Sequence, residues 1–311
     1  MSDLISVLIP VYNVGKYIEE TLDSLINQTH KKIEVIIVDD CSTDDSVQKI
    51  ENYPRGFNCI KLIKNSKNMG IVGAMNEGLK YCSGDYIARI DGDDIAIPDR
   101  LEKQLNYLKT HPEVAIVGCA TKSITEDGSY ISTANVACGI NNISRTIHLF
   151  PPCCHIWLAR KEVYSHLGGY RQVAPAEDYD FLLRAITSGY KVDNISEPLM
   201  LIRNRAGNTA DLAGLKQRKA HHYVIYLYKK RVLAGVEDDN FNSEDFNSAL
   251  KSFALEEKLH KVSNKLMKKG ISSKNKIIKI VYYSLAVLIS YEQMKYIIAR
   301  ANYKFMIWAQ K

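Results

Sequence analysis

Short β-branched runs alternate along the first part of the chain with stretches whose apolar residues recur every three or four positions. Ser6-Val7-Leu8-Ile9-Pro10-Val11 reads as a strand, and residues 17–28, with Ile18, Leu22, Leu25 and Ile26 on one face, read as a helix. The alternation then repeats. Strands are predicted over 34–38, 59–63, 85–90 and 114–119, and helices over 43–51, 70–81 and 98–110. Ser42 or Thr43 is the expected cap of the second helix, and Pro98 opens the fourth. Strands apolar on both faces, separated by amphipathic helices, predict an α/β fold: a mostly parallel sheet flanked by helices. Beyond residue 120 the pattern loosens. Glu126-Asp127-Gly128-Ser129 reads as a hairpin turn, 176–188 as a helix and 192–202 as containing a strand. From Leu215 the chain reads as helical, so a boundary is placed there, giving 1–215 and a helical 216–311.

In an open parallel sheet, ligands bind beyond the carboxyl ends of the strands. Those ends here read Pro10-Val11-Tyr12-Asn13, Asp39-Asp40-Cys41-Ser42 and Asp91-Gly92-Asp93-Asp94. Three carboxylates in four residues repel one another unless a cation sits among them, and carboxylate oxygens suit Mg²⁺ or Mn²⁺. Gly92 is expected to permit a tight turn there. The competing reading is a solvated turn capping the next helix. Asp39-Asp40 reads equally as an Asx-turn, although Tyr12 and Asp40 on neighbouring strand ends would suit stacking on a base and accepting its N–H. A second acidic cluster, Glu177-Asp178-Tyr179-Asp180, opens the helix predicted from 176. Capping is one reading; a general base for a hydroxyl is the other.

Charge divides the chain. Residues 1–215 carry 22 basic and 27 acidic residues, a balance of −5, and residues 216–311 carry 19 and 8, a balance of +11. The halves are therefore expected to meet different partners. At 46% hydrophobic and 24% charged, the composition is that of a folded protein and excludes disorder or a disulfide scaffold. Seven cysteines, scattered and without a C-x-x-C pair, read as reduced thiols. No signal segment is evident at the start, and the longest nearly uncharged apolar stretch, 280–291, is too short to span a bilayer. A cytoplasmic location is expected. Residues 277–308 mix apolar and aromatic residues with Lys279, Lys295, Arg300 and Lys304; packing on the catalytic domain, a homodimer face and peripheral membrane contact at the inner face of the cell membrane are the alternatives. No nucleic-acid-reading motif accompanies the basic tail.

The stretches SVLIPVYNVGKYIEETLDSLINQTHKKIEVIIVDDCSTDDS, NMGIVGAMNEGLKYCSGDYIARIDGDDIAIPDRLEKQ, HIWLARKEVY and GGYRQVAPAEDYDFLLR, in this order and spacing, resemble the family 2 inverting glycosyltransferases of GT-A fold. The resemblance covers residues 5 to about 205. It implies a nucleotide-binding half over 1–120, an acceptor-binding half over 121–215, and a basic helical extension. By the same resemblance Pro10, Tyr12 and Asp40 form the nucleobase site with Asp39 beside them. Asp93 is the expected direct ligand of Mn²⁺ or Mg²⁺, with Asp91 near the ribose or a metal-bound water. Asp178 is the expected base with Glu177 in reserve, and His155 lies on the acceptor side.

Two departures stand out. Met75 replaces an arginine that many relatives carry, which puts a phosphate or sugar contact in question. Ile202-Arg203-Asn204-Arg205 stands where the family often reads Tyr-Arg-x-His; this leaves histidine out of the expected metal shell and offers Arg203 or Arg205 to the diphosphate. The implied function is transfer of a sugar from a nucleotide diphosphate sugar, with UDP the commoner nucleotide, to a hydroxyl of a glycan or lipid-linked acceptor in surface polysaccharide synthesis. A nucleotidyltransferase would need a Gly-rich phosphate loop, which PVYNVGKY matches poorly. A non-catalytic nucleotide-sugar-binding protein is opposed by intact Asp40, Asp91, Asp93 and Asp178.

Overall fold

The computed structural model describes residues 3–53, 59–153, 155–205, 209–273 and 275–308. Strand β1 (Ile5–Val11) is buried along its whole length, as a strand covered on both faces must be. Helix α1 (Ile18–Ile26) buries Ile18, Thr21, Leu22 and Leu25 and turns Glu19 and Glu20 outward. β2 (Ile33–Asp39), α2 (Ser46–Asn52), β3 (Ile60–Lys64), α3 (Gly70–Leu79) and β4 (Tyr86–Arg89) continue the alternation. β1 pairs in parallel with β2 and β4, and β2 with β3, so β1, β2 and β4 all deliver their ends to the same rim.

After β4 come the two-residue β5 (Ile95–Ala96), α4 (Arg100–Thr110), β6 (Val114–Ile124), β7 (Tyr130–Ala134), α5 (Ile140–Thr146), β8 (Leu158–Arg160), α6 (Lys161–Leu167), α7 (Glu177–Thr187) and β9 (Lys191–Arg203). The sheet order is β3-β2-β1-β4-β8-β6-β9-β5, with β7 on β6. The long β6–β9 ladder is parallel, whereas β8 sits antiparallel between β4 and β6, and β5 and β7 add short antiparallel pairs. The anticipated mostly parallel sheet is thus present. Its antiparallel members β5 and β8 were not anticipated, being two and three residues long, too short to leave a periodic signal. The predicted hairpin turn joins β6 to β7, with Gly128 at φ 88°.

One local expectation is corrected. Helix α2 starts at Ser46, not near Thr43, and no side chain caps it. Residues 42–46 instead bind the loop after β1: Ser42 Oγ accepts from Asn13 N, an Asp44 carboxylate oxygen from Gly15 N, and Ser46 Oγ from Val14 N.

The chain divides into two compact units. The first comprises Met1–Arg145, Pro151–Gln172 and Glu177–Arg205 and contains the sheet; the second comprises Thr146–Phe150, Val173–Ala176 and Ala206–Lys311. In the second, α8 (Thr209–Ala234) is broken at Gly214, and α9 (Ser243–Leu250), α10 (Ala254–Ser272), α11 (Lys276–Ile289) and α12 (Tyr291–Trp308) follow. α10 and α11 pack closely: Ser263 Oγ donates to Ala286 O at 2.8 Å, and a Cβ on Gly270 would lie 2.7 Å from the Tyr283 ring. Among the described residues no helix is long and apolar enough to cross a membrane. Six cysteines are free thiols, while Cys154 lies outside the described residues.

Candidate active site

The rim formed by β1 and β2 is held by backbone-directed hydrogen bonds. Asp40 N donates to Val11 O at 2.9 Å, joining the two strand ends. Asn13 and Cys41 take φ values of 53° and 65°, the left-handed conformation that turns each chain sharply off its strand. Asp40 is buried, and its carboxylate accepts from Asn65 Nδ2 (2.8 Å), Met69 N (2.8 Å) and Gly70 N (2.7 Å). It therefore anchors the start of α3 as well as lying on the rim. Asp39, also buried, accepts from Ser42 N at 3.3 Å, which is the turn geometry its sequence allowed. Pro10 is buried in β1, while Tyr12 is 50% exposed, its ring open to solvent at the rim. Met75 is fully buried on α3.

The end of β4 is organised differently. Asp94 N donates to Asp91 O at 3.1 Å, closing the turn. Gly92 does not take a left-handed φ; a Cβ there would sit tightly, 3.0 Å from Val14 Cγ2 and 3.3 Å from Val11 Cγ2. Asp91 accepts from Arg89 Nε at 3.2 Å on one oxygen, and His155 Nε2 lies 3.0 Å from the other. Asp94, buried, accepts from Arg203 N at 2.9 Å and lies 4.0 Å from His155 Nε2. Asp93 is ion-paired to Arg205 at 2.5 Å. Arg100, fully buried on α4, donates to Arg89 O and Ile156 O, both at 2.8 Å, and so fixes the end of β4 beside the segment carrying His155.

These surroundings set the ionisation. Burial opposes ionisation of Asp91, but the Arg89 guanidinium and His155 hold its carboxyl well below the usual carboxylate range. Asp94 is driven the other way, chiefly by burial and then by the negative charge of Asp91 and Asp93.

α7 supplies the second carboxylate pair. Glu177 is 7% exposed, and burial followed by the neighbouring Asp178 pushes its carboxyl up to about 7, against the opposing pull of Arg89. Arg89 Nη1 lies 3.9 Å from Glu177 Oε1, so a single guanidinium stands between Asp91 and Glu177. Asp178 is the more accessible of the pair and accepts from Tyr179 N at 2.7 Å. Asp180 is fully buried and bound to Arg184 at 2.8 Å, which makes it part of the scaffold.

The structure thus gathers Asp91, Asp93, Asp94, His155, Arg205 and Glu177 through direct contacts or through Arg89, with Asp178 next to Glu177 on α7. Arg203 is buried and committed: it donates to Asp93 O at 3.0 Å, Glu126 O at 2.8 Å and Glu20 Oε2 at 2.5 Å. Arg205 is the more accessible of the two arginines. Ligand atoms of Asp91, Asp94 and His155 all lie within 4.8 Å of one another. Two carboxylates and an imidazole are a donor set for a hard or borderline divalent ion, and the crowding that opposes ionisation of Asp94 is what such an ion would relieve. The residues fit the expected cation. Sequence reasoning counted Asp94 in the acidic cluster without naming it a ligand, took Asp93 as the direct ligand, placed His155 on the acceptor side and passed over Arg89. The signal for Arg89 was a charged residue inside the apolar run 85–90.

The chain is a glycosyltransferase: it belongs to glycosyl transferase family 2, whose sequence model matches residues 6–168. It is 30% identical over 235 residues to the amylovoran biosynthesis glycosyltransferase AmsE of Erwinia amylovora, covering 74% of this chain and 86% of that one. Among solved structures it is similar to S. aureus TarS 1–349 in complex with UDP-GlcNAc, with a TM-score of 0.63 at 20% identity over 99% of this chain and 91% of that one. It is also similar to the mannosyltransferase PcManGT from Pyrobaculum calidifontis in complex with GDP-Man and Mn²⁺, with a TM-score of 0.56 at 17% identity over 98% and 86% of the two chains. These two likenesses establish the GT-A fold.

Proposed function

We propose that the chain is an inverting glycosyltransferase that moves a sugar from a nucleotide diphosphate sugar, UDP being the expected nucleotide, to a hydroxyl of a glycan or lipid-linked saccharide in surface polysaccharide synthesis. The catalytic part is 1–215, with 1–120 binding the nucleotide and 121–215 the acceptor. The observation that carries this reading is the pair of acidic groups joined by Arg89, one at the end of β4 and one at the start of α7. The bound nucleotide sugars of TarS and PcManGT and the biosynthetic role named for AmsE agree with it.

Tyr12 stacks on the base, with Pro10, Asp39 and Asp40 forming the wall behind it. Mn²⁺ or Mg²⁺ would be held by Asp91, Asp94 and His155, with Asp93 the remaining carboxylate of the motif, and would supply positive charge where negative charge develops on the departing diphosphate. Arg205 adds to that charge, whereas Arg203, whose guanidinium is already spoken for, positions Asp93 and the loop ending in Glu126. Asp178 takes the proton of the acceptor hydroxyl as its oxygen attacks the anomeric carbon from the face opposite the leaving group. A single displacement inverts the configuration and needs no enzyme nucleophile. Glu177, held by Arg89, keeps the start of α7 in place and sets the field at Asp178.

Asp178→Asn tests the reading. Donor hydrolysis and transfer should fall by about 100-fold or more, while calorimetry with UDP and Mn²⁺ should show nucleotide binding close to that of the parent. Undiminished turnover refutes the base assignment. Metal-enhanced binding in the parent without turnover of any nucleotide sugar would mark a non-catalytic binding protein. A lipid-linked acceptor would bring the chain to the inner face of a membrane.

A further inference from the structure

Tyr17 joins the loop after β1 to the tip of the β6–β7 hairpin, and two arginine guanidiniums stand over its ring. It occupies the N-cap position of α1 without capping that helix and is buried. Its hydroxyl donates to Glu126 Oε1 at 2.9 Å. The same oxygen accepts from Lys16 Nζ at 2.5 Å, so the far end of the ring is tied to the hairpin. The guanidinium carbon of Arg203 lies 5.1 Å from the ring centroid and that of Arg205 5.6 Å. Both are inside the roughly 6 Å at which the negative face of an aromatic ring attracts a cation.

The two arginines depend on the ring to different degrees. Arg203 donates through Nε to Asp93 O, through Nη1 to Glu126 O and through Nη2 to Glu20, so hydrogen bonds already fix its direction. Arg205 is held at one nitrogen, Nε on Asp93 Oδ2 at 2.5 Å, and its Nη groups make no hydrogen bond among the described residues. A guanidinium tethered at one point can still swing, and an aromatic face restricts that motion without occupying a donor. The Nη fork, the edge that meets oxyanions in pairs, is left available.

We infer that Tyr17 is a positioning residue for Arg205. Its ring holds the guanidinium beside Asp93 so that the Nη fork meets the diphosphate of the nucleotide sugar, and Glu126 holds the ring. The inference rests on the diphosphate role proposed above for Arg205.

Binding isotherms with Mn²⁺ present, comparing UDP with uridine and GDP with guanosine, test it, because only the diphosphates carry the group that Arg205 meets. Tyr17→Leu should weaken binding of the preferred diphosphate by about five- to ten-fold and leave its nucleoside within about two-fold of the parent. Tyr17→Phe keeps the ring and should stay within about two-fold for both. Pentafluorophenylalanine at position 17 keeps the ring's shape but reverses the sign of its face; it should match the loss in Tyr17→Leu, and it decides the matter if Tyr17→Leu does not fold. Made in Arg205→Gln, Tyr17→Leu should cause no further loss, a coupling that general loosening of the loop would not produce. Equal losses for diphosphate and nucleoside overturn the inference, as does the same Tyr17→Leu loss with and without Arg205. A Tyr17→Leu chain that binds UDP or GDP as the parent does overturns it alone, whereas a parent that binds neither diphosphate overturns the catalytic reading with it.

Discussion

The two acidic strand ends, Asp39-Asp40 after β2 and Asp91 to Asp94 after β4, look alike in sequence and are satisfied by different partners. Asp40 is met by two backbone amides and an asparagine, neutral donors that fix a loop and the start of a helix. Asp91 and Asp93 are met by arginine and histidine side chains, and Asp94 by one backbone amide and by the negative charge of the other two. Neutral donors make a carboxylate a scaffold, whereas a carboxylate crowded by its own kind, with cations only partly compensating, remains a place for a further positive charge. Glu177 is a third case, buried beside Asp178 and faced by a single guanidinium.

The largest effect expected from this contrast is on the β4 side. Asp94→Asn keeps an oxygen for Arg203 N but removes a charge from the trio with Asp91 and His155, so turnover should drop by about 100-fold and Mn²⁺ should no longer enhance nucleotide binding. The urea midpoint should hold or rise, because like-charge repulsion is relieved. A variant that keeps its metal response would break the distinction. On the β2 side the order reverses. Asp40→Ala leaves the amides of Met69 and Gly70 without their acceptor and should cost about 2–4 kcal/mol in urea unfolding, whereas Asp39→Asn, which keeps an acceptor for Ser42 N, should cost under about 0.5 kcal/mol. Equal losses at the two positions would erase the scaffold role given to Asp40.

The smallest effect concerns Glu177 and pH. Its folded-state carboxyl titrates near 7 against a usual 4.5, so the folded chain holds this proton longer than the unfolded one. The penalty is absent below about pH 4.5 and grows as pH rises toward 7, and stability should decline across that window. Glu177→Gln should flatten that decline, read as the difference in thermal midpoint between pH 5 and pH 7. An unchanged slope would place the strain elsewhere.

Much of the fold was legible because it is periodic. The run Ser6 to Val11 and the spacing of Ile18, Leu22 and Leu25 can bury their apolar faces in few ways, and the strand–helix alternation leaves few topologies. The short strands β5 and β8 escaped because two or three residues carry no period; their place is set by pairing with β9, β4 and β6. Within the site, the acidic clusters at 39–40, 91–94 and 177–178 stood out as sequence, since unlike neighbours at strand and helix ends are conspicuous.

By itself, then, the sequence determined which elements form, which ends carry carboxylates, and that the basic charge gathers after residue 215, because local periodicity and composition depend on the chain alone. Tertiary structure decided the partners. His155, 64 residues from Asp91, reaches it because Arg100 ties β4 to the segment before β8. Asp93 faces Arg205, and Arg203 is used up holding Glu20 and two loop carbonyls. The charge a carboxylate keeps depends on what is brought within a few ångströms of it and on how much water is shut out, and neither is written in the order of residues.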